Sequence, residues 1–459
     1  MSLAMSGSVF TIYAAEALLP QGWASKVRIG VRDGLIVGVT AGSPAQDGDE
    51  RQDIVIPGLP NVHSHAFQRG LAGLTEARGN SCDDFWSWRR LMYQFVDRIE
   101  PEDLATLAEL AYIEMLESGF TRVAEFHYLH HRPDGAPYAD RAEMAVAIGS
   151  AAAAAGIGLT LLPVLYAHAG FGLLPPRPEQ RRFLNTIDDF GMLVEDSRRI
   201  ANRLPDLIVG VAPHSLRAID AGHLDRLAGL ARDAPIHIHV AEQVAEVEDC
   251  LAWSGARPVE WLLDHAPVDH RWCMVHATHM TDTEAVGLAR SRAVAGLCPI
   301  TEANLGDGIF NAAPFLAAGG GYGVGSDSNV LIDATEELRL LEYGQRLTRR
   351  ARNVLAAGLD SRTGNDVYCA ALAGGGQAVG VPSAIAAGLS ADLVSLDPHH
   401  PSITARQGPA LLDGLIFAAG RSAIDCVWRR GTRLVAAGRH RGREAILPRY
   451  RAVLAKLTA

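Results

Sequence analysis

Two imidazoles separated by one residue stand at the end of an apolar run. Pro60-Asn61-Val62-His63-Ser64-His65 follows Ile54-Val55-Ile56-Pro57-Gly58-Leu59. Such a run reads as a buried β-strand, and side chains at i and i+2 of a strand share a face, roughly 6–7 Å apart. Two neutral imidazoles so placed can close on one metal ion, zinc being the usual guest. The pair alone does not establish a metal site, because histidines also end strands as ordinary polar groups. Other apolar runs end in reactive residues too: Glu125, His127 and Tyr128; His214 and Arg217; His237, His239 and Glu242; His276; Asp327. Together His63, His65, His239 and Asp327 offer three nitrogens and one carboxylate oxygen, with room for water. That donor set suits one catalytic zinc ion, with iron or manganese as alternatives. Asp327 lies in Gly323-Val324-Gly325-Ser326-Asp327-Ser328, where the glycines permit close backbone approach.

The elements that must position these groups follow from periodicity. Eight apolar runs, at 54–59, 122–126, 159–165, 207–212, 235–240, 272–276, 294–298 and 321–325, alternate with helical stretches such as 102–118, 179–201 and 224–232. This pattern predicts an α/β fold, a (β/α)8 TIM-like barrel with its helices outside. Catalytic groups of such barrels gather at the C-terminal strand ends, and polar residues end six of these eight runs. Alternating strand patterns fill residues 9–56 and return at 391–397 and 425–431. Neither piece is long enough for its own core, so a small β-sandwich built from both chain ends is expected. The predicted division is 6–56 plus 386–440 for the sandwich, 57–385 for the barrel and 441–459 for a C-terminal helix.

Composition excludes several functions. The chain has 459 residues, 48% hydrophobic, with a net charge of −10 and no basic cluster. Nucleic acid and anionic membranes are therefore not expected partners. No run of eighteen apolar residues predicts a membrane span. Met1-Ser2-Leu3-Ala4-Met5 lacks the basic and apolar stretches of a secretion signal, Met5 is a second candidate start, and a cytoplasmic location is expected. Cys82, Cys250, Cys273, Cys298, Cys369 and Cys426 show no Cys-x-x-Cys spacing and read as buried, reduced thiols. Of 42 basic residues only Lys26 and Lys456 are lysines.

The pieces Pro57-Gly58-Leu59-Pro60-Asn61-Val62-His63-Ser64-His65, His237-Ile238-His239-Val240-Ala241-Glu242, Val275-His276-Ala277 and Gly325-Ser326-Asp327 resemble the amidohydrolase superfamily across nearly the whole chain. Many members hold two metals bridged by a carboxylated lysine, but Lys26 and Lys456 both lie outside the barrel segment; a Cys or Glu bridge stays open. The spacing from His239 to Glu242 is similar to the single-metal deaminase branch, in which the glutamate shuttles protons. A competing reading makes Glu242 a helix-start carboxylate favoured by the macrodipole. The resemblance implies that Glu242 takes a proton from metal-activated water, while His276 and Asp327 orient that water and stabilise the tetrahedral intermediate. Glu242 then returns the proton to the departing nitrogen.

Asn61 to Arg69, Ala124 to Tyr128, His214 to Ala218 and Thr301 to Gly308 are similar to the formimidoylglutamate deiminases of bacterial histidine degradation. That resemblance implies a zinc enzyme converting N-formimidoyl-L-glutamate and water to N-formyl-L-glutamate and ammonia. It also implies substrate contacts from Gln68, Arg89, Tyr128, His214 and Arg217, and a homodimer. The chemistry agrees: a small dianionic substrate needs a local positive pocket in an acidic protein, and arginine binds carboxylates bidentately. Arg89 lies in a long loop after the first strand, and Arg90 competes with it. Gln68 also reads as a turn cap, and the aromatics Phe85, Trp86 and Trp88 as core or interface. Three other readings remain: a deaminase of aromatic amines of guanine or aminotriazine type, a hydrolase of another guanidino or amidino acid, and a non-catalytic metal-binding barrel.

Overall fold

The computed structural model describes residues 9–76, 78, 85–202, 204 and 206–459. Met5 and Cys82 lie outside the described residues, as do the side chains of Phe85 and Trp86. Continuous apolar runs become parallel strands when both faces are covered, and every residue of Phe120–His127 and Gly158–Leu165 is buried. The parallel sheet runs in the order Ile236–Val240, Trp272–His276, Val294–Leu297, Gly321–Val324, Leu59–Ser64, Phe120–His127, Gly158–Leu165 and Ile208–Val209. It closes through the next residues of that last strand. Ala212–Pro213 also pairs with Gly158–Leu165, while Val211 and Ser215 bridge to Ile236 and His239. The result is the eight-stranded barrel, and helices such as Pro101–Glu117 and Leu224–Ala231 fill the connections.

Three expectations need correction. The run at 54–59 is two strands, not one. Glu50–Pro57 belongs to the second sheet, and Leu59–Ser64 is the first barrel strand. The chain changes sheets at Gly58, where an added Cβ would sit 2.2 Å from Thr121 Cγ2, so the neighbouring strand leaves space for hydrogen alone. The stretch at 179–201 is not one helix either: Pro178–Gln180 is a single turn. The helix Ile187–Arg198 starts afresh at Thr186, whose hydroxyl accepts from Asp189 N. Arg89, expected in a loop, sits on the helix Phe85–Val96.

The second sheet mixes both chain ends. Its order is Arg439–His440, Thr432–Ala436, Ile424–Arg429, Leu393–Leu396, Glu50–Pro57, Phe10–Leu19, Gly22–Arg32 and Leu35–Thr40. Ile12, Val27, Ile29 and Val55 from one end share a core with Leu393 and Trp428 from the other. The helix Arg443–Thr458 returns to Pro101–Glu117 through the ion pairs Arg449–Glu109 and Lys456–Asp103. Cys250, Cys273, Cys298 and Cys426 are buried free thiols, and Cys369 is half-buried. Among the described residues no helix is long and apolar enough to cross a membrane.

Candidate active site

The strand ends bring His63, His65, His239 and Asp327 together. His63 Nε2 lies 3.2 Å from His65 Nε2 and 3.0 Å from His239 Nε2. Asp327 Oδ1 is 3.4 Å from the Nε2 atoms of both His63 and His65. Ligand atoms around a tetrahedral ion with bonds of about 2.0–2.1 Å stand about 3.3 Å apart. Two of the rings have their tautomer fixed from behind. His65 Nδ1 donates to Phe126 O at 3.0 Å and His239 Nδ1 to His214 O at 3.1 Å. Their Nε2 lone pairs therefore face the cluster, where a cation removes the repulsion between them. Burial pushes His63 down to about 3 and lowers His65 and His239 as well. Burial would raise Asp327, but His63, His276 and His65 outweigh it and hold the carboxyl ionised. Three neutral imidazoles and one carboxylate are the protonation states a divalent ion requires. By composition and geometry the cluster could hold a metal ion.

Backbone conformation helps to aim these groups. Asp327 has φ 41° and His276 has φ 67°, in the left-handed region that side-chain-bearing residues rarely adopt. Asp327 is held there from both sides: its N–H donates to His63 O, and its carbonyl accepts from His65 N, each at 2.9 Å. Gly325 permits this approach, since a Cβ there would lie 2.7 Å from His63 N. A buried polar chain fastens the same seam. Asn61 Nδ2 donates to Ser326 Oγ, Ser326 Oγ to Asn329 Oδ1, and Asn329 Nδ2 to His65 O. Asn329 has no counterpart among the residues singled out in the sequence, and Asn61 and Ser326 appear there only as neighbours of ligands.

Glu242 lies between the strand Ile236–Val240 and the helix Val244–Ser254, and its carboxylate borders the cavity. The helix-start role belongs to Glu246, whose carboxylate accepts from Ala241 N and Glu242 N at 3.2 Å each. Burial raises Glu242 above the usual carboxylate range, although His276 and Arg217 pull the other way. His276 Nε2 stands 3.8 Å from Glu242 Oε1 and 3.8 Å from Asp327 Oδ2, and Nδ1 stands 3.3 Å from Glu302 Oε1. Burial opposes charge on this ring, yet Glu242, Glu302 and Asp327 push it up to about 10. His237 and His127 take no part in the cavity. His237 Nε2 donates to Ala378 O, and His127 packs against His130.

Gln68, Arg89, Tyr128, His214 and Arg217 all face the same cavity as His65, His239 and Asp327. Gln68 does not act as a turn cap: it is buried in the short helix Ala66–Leu71 and donates to Tyr128 Oη at 3.0 Å. Arg89 faces the cavity while Arg90 is exposed, which separates the two. Arg89 Nε donates to Tyr93 Oη at 2.7 Å, and its terminal nitrogen to Tyr166 Oη at 2.9 Å. Gln180 Nε2 donates to the same Tyr166 hydroxyl at 2.7 Å. Arg217 stands 3.9 Å from Glu246 Oε2. Burial first, then Arg217 and Arg89, keeps His214 neutral. Trp88, Met92 and Leu305 complete the lining with apolar surface. The buried Arg182 ties down the Arg89 helix. Its guanidinium donates to the carbonyls of Val96, Ile99 and His131. Among the lining residues not predicted to bind substrate, Trp88 carried a sequence signal in its aromatic run and Leu305 lies within the Thr301 to Gly308 resemblance, whereas Met92 carried none.

Comparison with known proteins follows the same lines. Residues 54–434 match the Amidohydrolase family, and residues 10–53 match the N-terminal domain of formimidoylglutamate deiminase HutF. The sequence is 49% identical to a formimidoylglutamate deiminase of Pseudomonas aeruginosa, over 97% of this chain and 99% of that protein. Among solved structures, an amidohydrolase from Brucella melitensis superposes with a TM-score of 0.96 at 53% identity, covering 98% of this chain and 100% of that one. An adenosine deaminase from Xanthomonas campestris with bound zinc shares the fold, with a TM-score of 0.81 at 22% identity and 98% coverage of both chains.

Proposed function

The chain belongs to the amidohydrolase family and, within it, to the formimidoylglutamate deiminases, and on that premise we propose how its residues hydrolyse N-formimidoyl-L-glutamate to N-formyl-L-glutamate and ammonia. His63, His65, His239 and Asp327 hold one divalent ion, and their nitrogen-rich donor set favours zinc. When bound, such an ion supplies Lewis acidity that makes water acidic enough to ionise near neutral pH. Glu242, its pKa raised by burial, takes the water proton as the oxygen adds to the formimidoyl carbon. His276, kept cationic by its carboxylate neighbours, orients that water with Asp327 and steadies the charge developing at the tetrahedral carbon. Glu242 then hands its proton to the departing nitrogen, the adduct's hydroxyl gives up the second proton that nitrogen needs, and ammonia leaves as the carbonyl forms.

Arg89 and Arg217 take the two substrate carboxylates, with Gln68, Tyr128 and His214 supplying hydrogen bonds. The observation that carries this reading is the charge layout: the buried Arg217 and the half-buried Arg89 share one small cavity with His65, His239, Asp327 and Glu242. A pocket for a flat aromatic amine has no use for them. Ammonia release from N-formimidoyl-L-glutamate, guanine and N-formimidoyl-L-aspartate tests the assignment. The glutamate compound should be turned over best, and a preference for guanine overturns it. Metal analysis of the purified enzyme checks for zinc, and sedimentation checks for the homodimer.

A further inference from the structure

Behind the ligand cluster, further donors converge. Ligand atoms of His276, Cys298 and Asp327 all lie within 4.8 Å of one another, and all three residues are buried. Asp327 offers its two oxygens to two different groups. Oδ1 stands 3.4 Å from His63 Nε2 and His65 Nε2, while Oδ2 stands 3.8 Å from His276 Nε2. One carboxylate braces both remaining donors: Glu302 Oε1 lies 3.3 Å from His276 Nδ1 and accepts from Cys298 N at 2.9 Å. With Nδ1 engaged there, Nε2 is the ring atom left for binding. His276 is 1% exposed, and the acceptors nearest its Nε2, Glu242 Oε1 and Asp327 Oδ2, both stand at 3.8 Å, beyond hydrogen-bond reach.

We propose that His276, Cys298 and Asp327 form a second metal site, which takes a thiophilic divalent ion such as zinc or cadmium and blocks turnover. Imidazole, thiolate and carboxylate together select such ions, and Glu302 supplies the backing that orients metal-binding histidines. Asp327 bridges the two ions, as carboxylates do between metals about 3.5–4 Å apart. The barrel has no lysine to serve as a bridge, both lysines lying at the chain ends. As the ion binds, the Cys298 thiol proton and the His276 Nε2 proton both pass to solvent. The block rests on the roles proposed above for His276 and Asp327, both of which the second ion occupies. Binding itself does not depend on those roles.

The test starts from enzyme reloaded with one equivalent of zinc and adds cadmium chloride. Bound zinc and cadmium are counted by equilibrium dialysis, the thiolate-to-cadmium absorption is followed in the ultraviolet, and ammonia release is measured in parallel. One cadmium should bind with zinc retained, the absorption should rise, and turnover should fall in step. Cys298→Ser should keep the zinc and the turnover measured without cadmium, lose the absorption, and raise the inhibitory cadmium concentration at least about tenfold. Cys298→Ala should behave alike. Failure of the wild-type enzyme to bind the extra equivalent, or an absorption that survives both substitutions, overturns the site. Dialysis and absorption need no substrate, so they report on the site even if the proposed reaction is wrong.

Discussion

On the barrel side of the cavity, His65 and His239 are aimed by backbone carbonyls, those of Phe126 and His214. On the opposite side Arg89 is aimed by side chains, the hydroxyls of Tyr93 and Tyr166. The first arrangement is fixed by strand pairing and cannot move without breaking the barrel. The second depends on a helix outside the barrel and on loops, and a change of one side chain can redirect it. A fold that keeps its chemistry at strand ends and its recognition on an outer helix and loops can alter what it binds while leaving intact how it reacts.

Substitutions on the two sides should therefore fail in different ways. Stripping the metal with a chelator, or His239→Ala, should abolish turnover. Added zinc should restore the chelated wild-type enzyme but not the variant, as metal content and ammonia release will report. Glu242→Gln should keep the metal and lose about 10²–10⁴-fold in kcat, the usual worth of a general acid–base; near-normal turnover would remove Glu242 from the mechanism. On the recognition side, Arg217→Met should leave the metal and most of kcat in place. It should raise KM about 10–100-fold, since a charge-assisted hydrogen bond contributes about 1.5–3 kcal/mol. An unchanged KM contradicts its role. Tyr166→Phe should have the smallest effect, about fivefold in KM, because it removes one neutral hydroxyl worth about 1 kcal/mol from behind Arg89. If Tyr166→Phe lowers kcat instead, the division between the two sides is wrong.

The barrel was legible in the sequence because its strands are short apolar runs, six of the eight ending in polar residues. The convergence of His63, His65, His239 and Asp327 was legible because those ends carry histidine and aspartate. The boundary at Gly58 was not, since Ile54 to Leu59 is equally apolar on both sides of the change of sheet. Its cause is a close approach of Thr121, a contact between distant positions that no local pattern records. The same holds for Asn329, Gln180 and Arg182. Each acts through partners brought near by folding, and their residue types are common in loops. The left-handed backbone at His276 and Asp327 also left no trace, because neither residue is a glycine.

Glu50–Pro57 lies in its sheet between Phe10–Leu19 and Leu393–Leu396. During synthesis one edge of this strand therefore stays open until the barrel segment has been made. Ile54, Val55 and Ile56 sit along it, and an open apolar edge is where nascent chains pair wrongly with one another. His63 lies in the strand that follows after one glycine, and His65 just past its end, so both hang from the strand that the late strands complete. A chain stopped before Leu393 should aggregate and bind no ion, as light scattering and metal analysis would show. That result would make the sheet a completion check on translation, one that only a chain carrying its final strands passes.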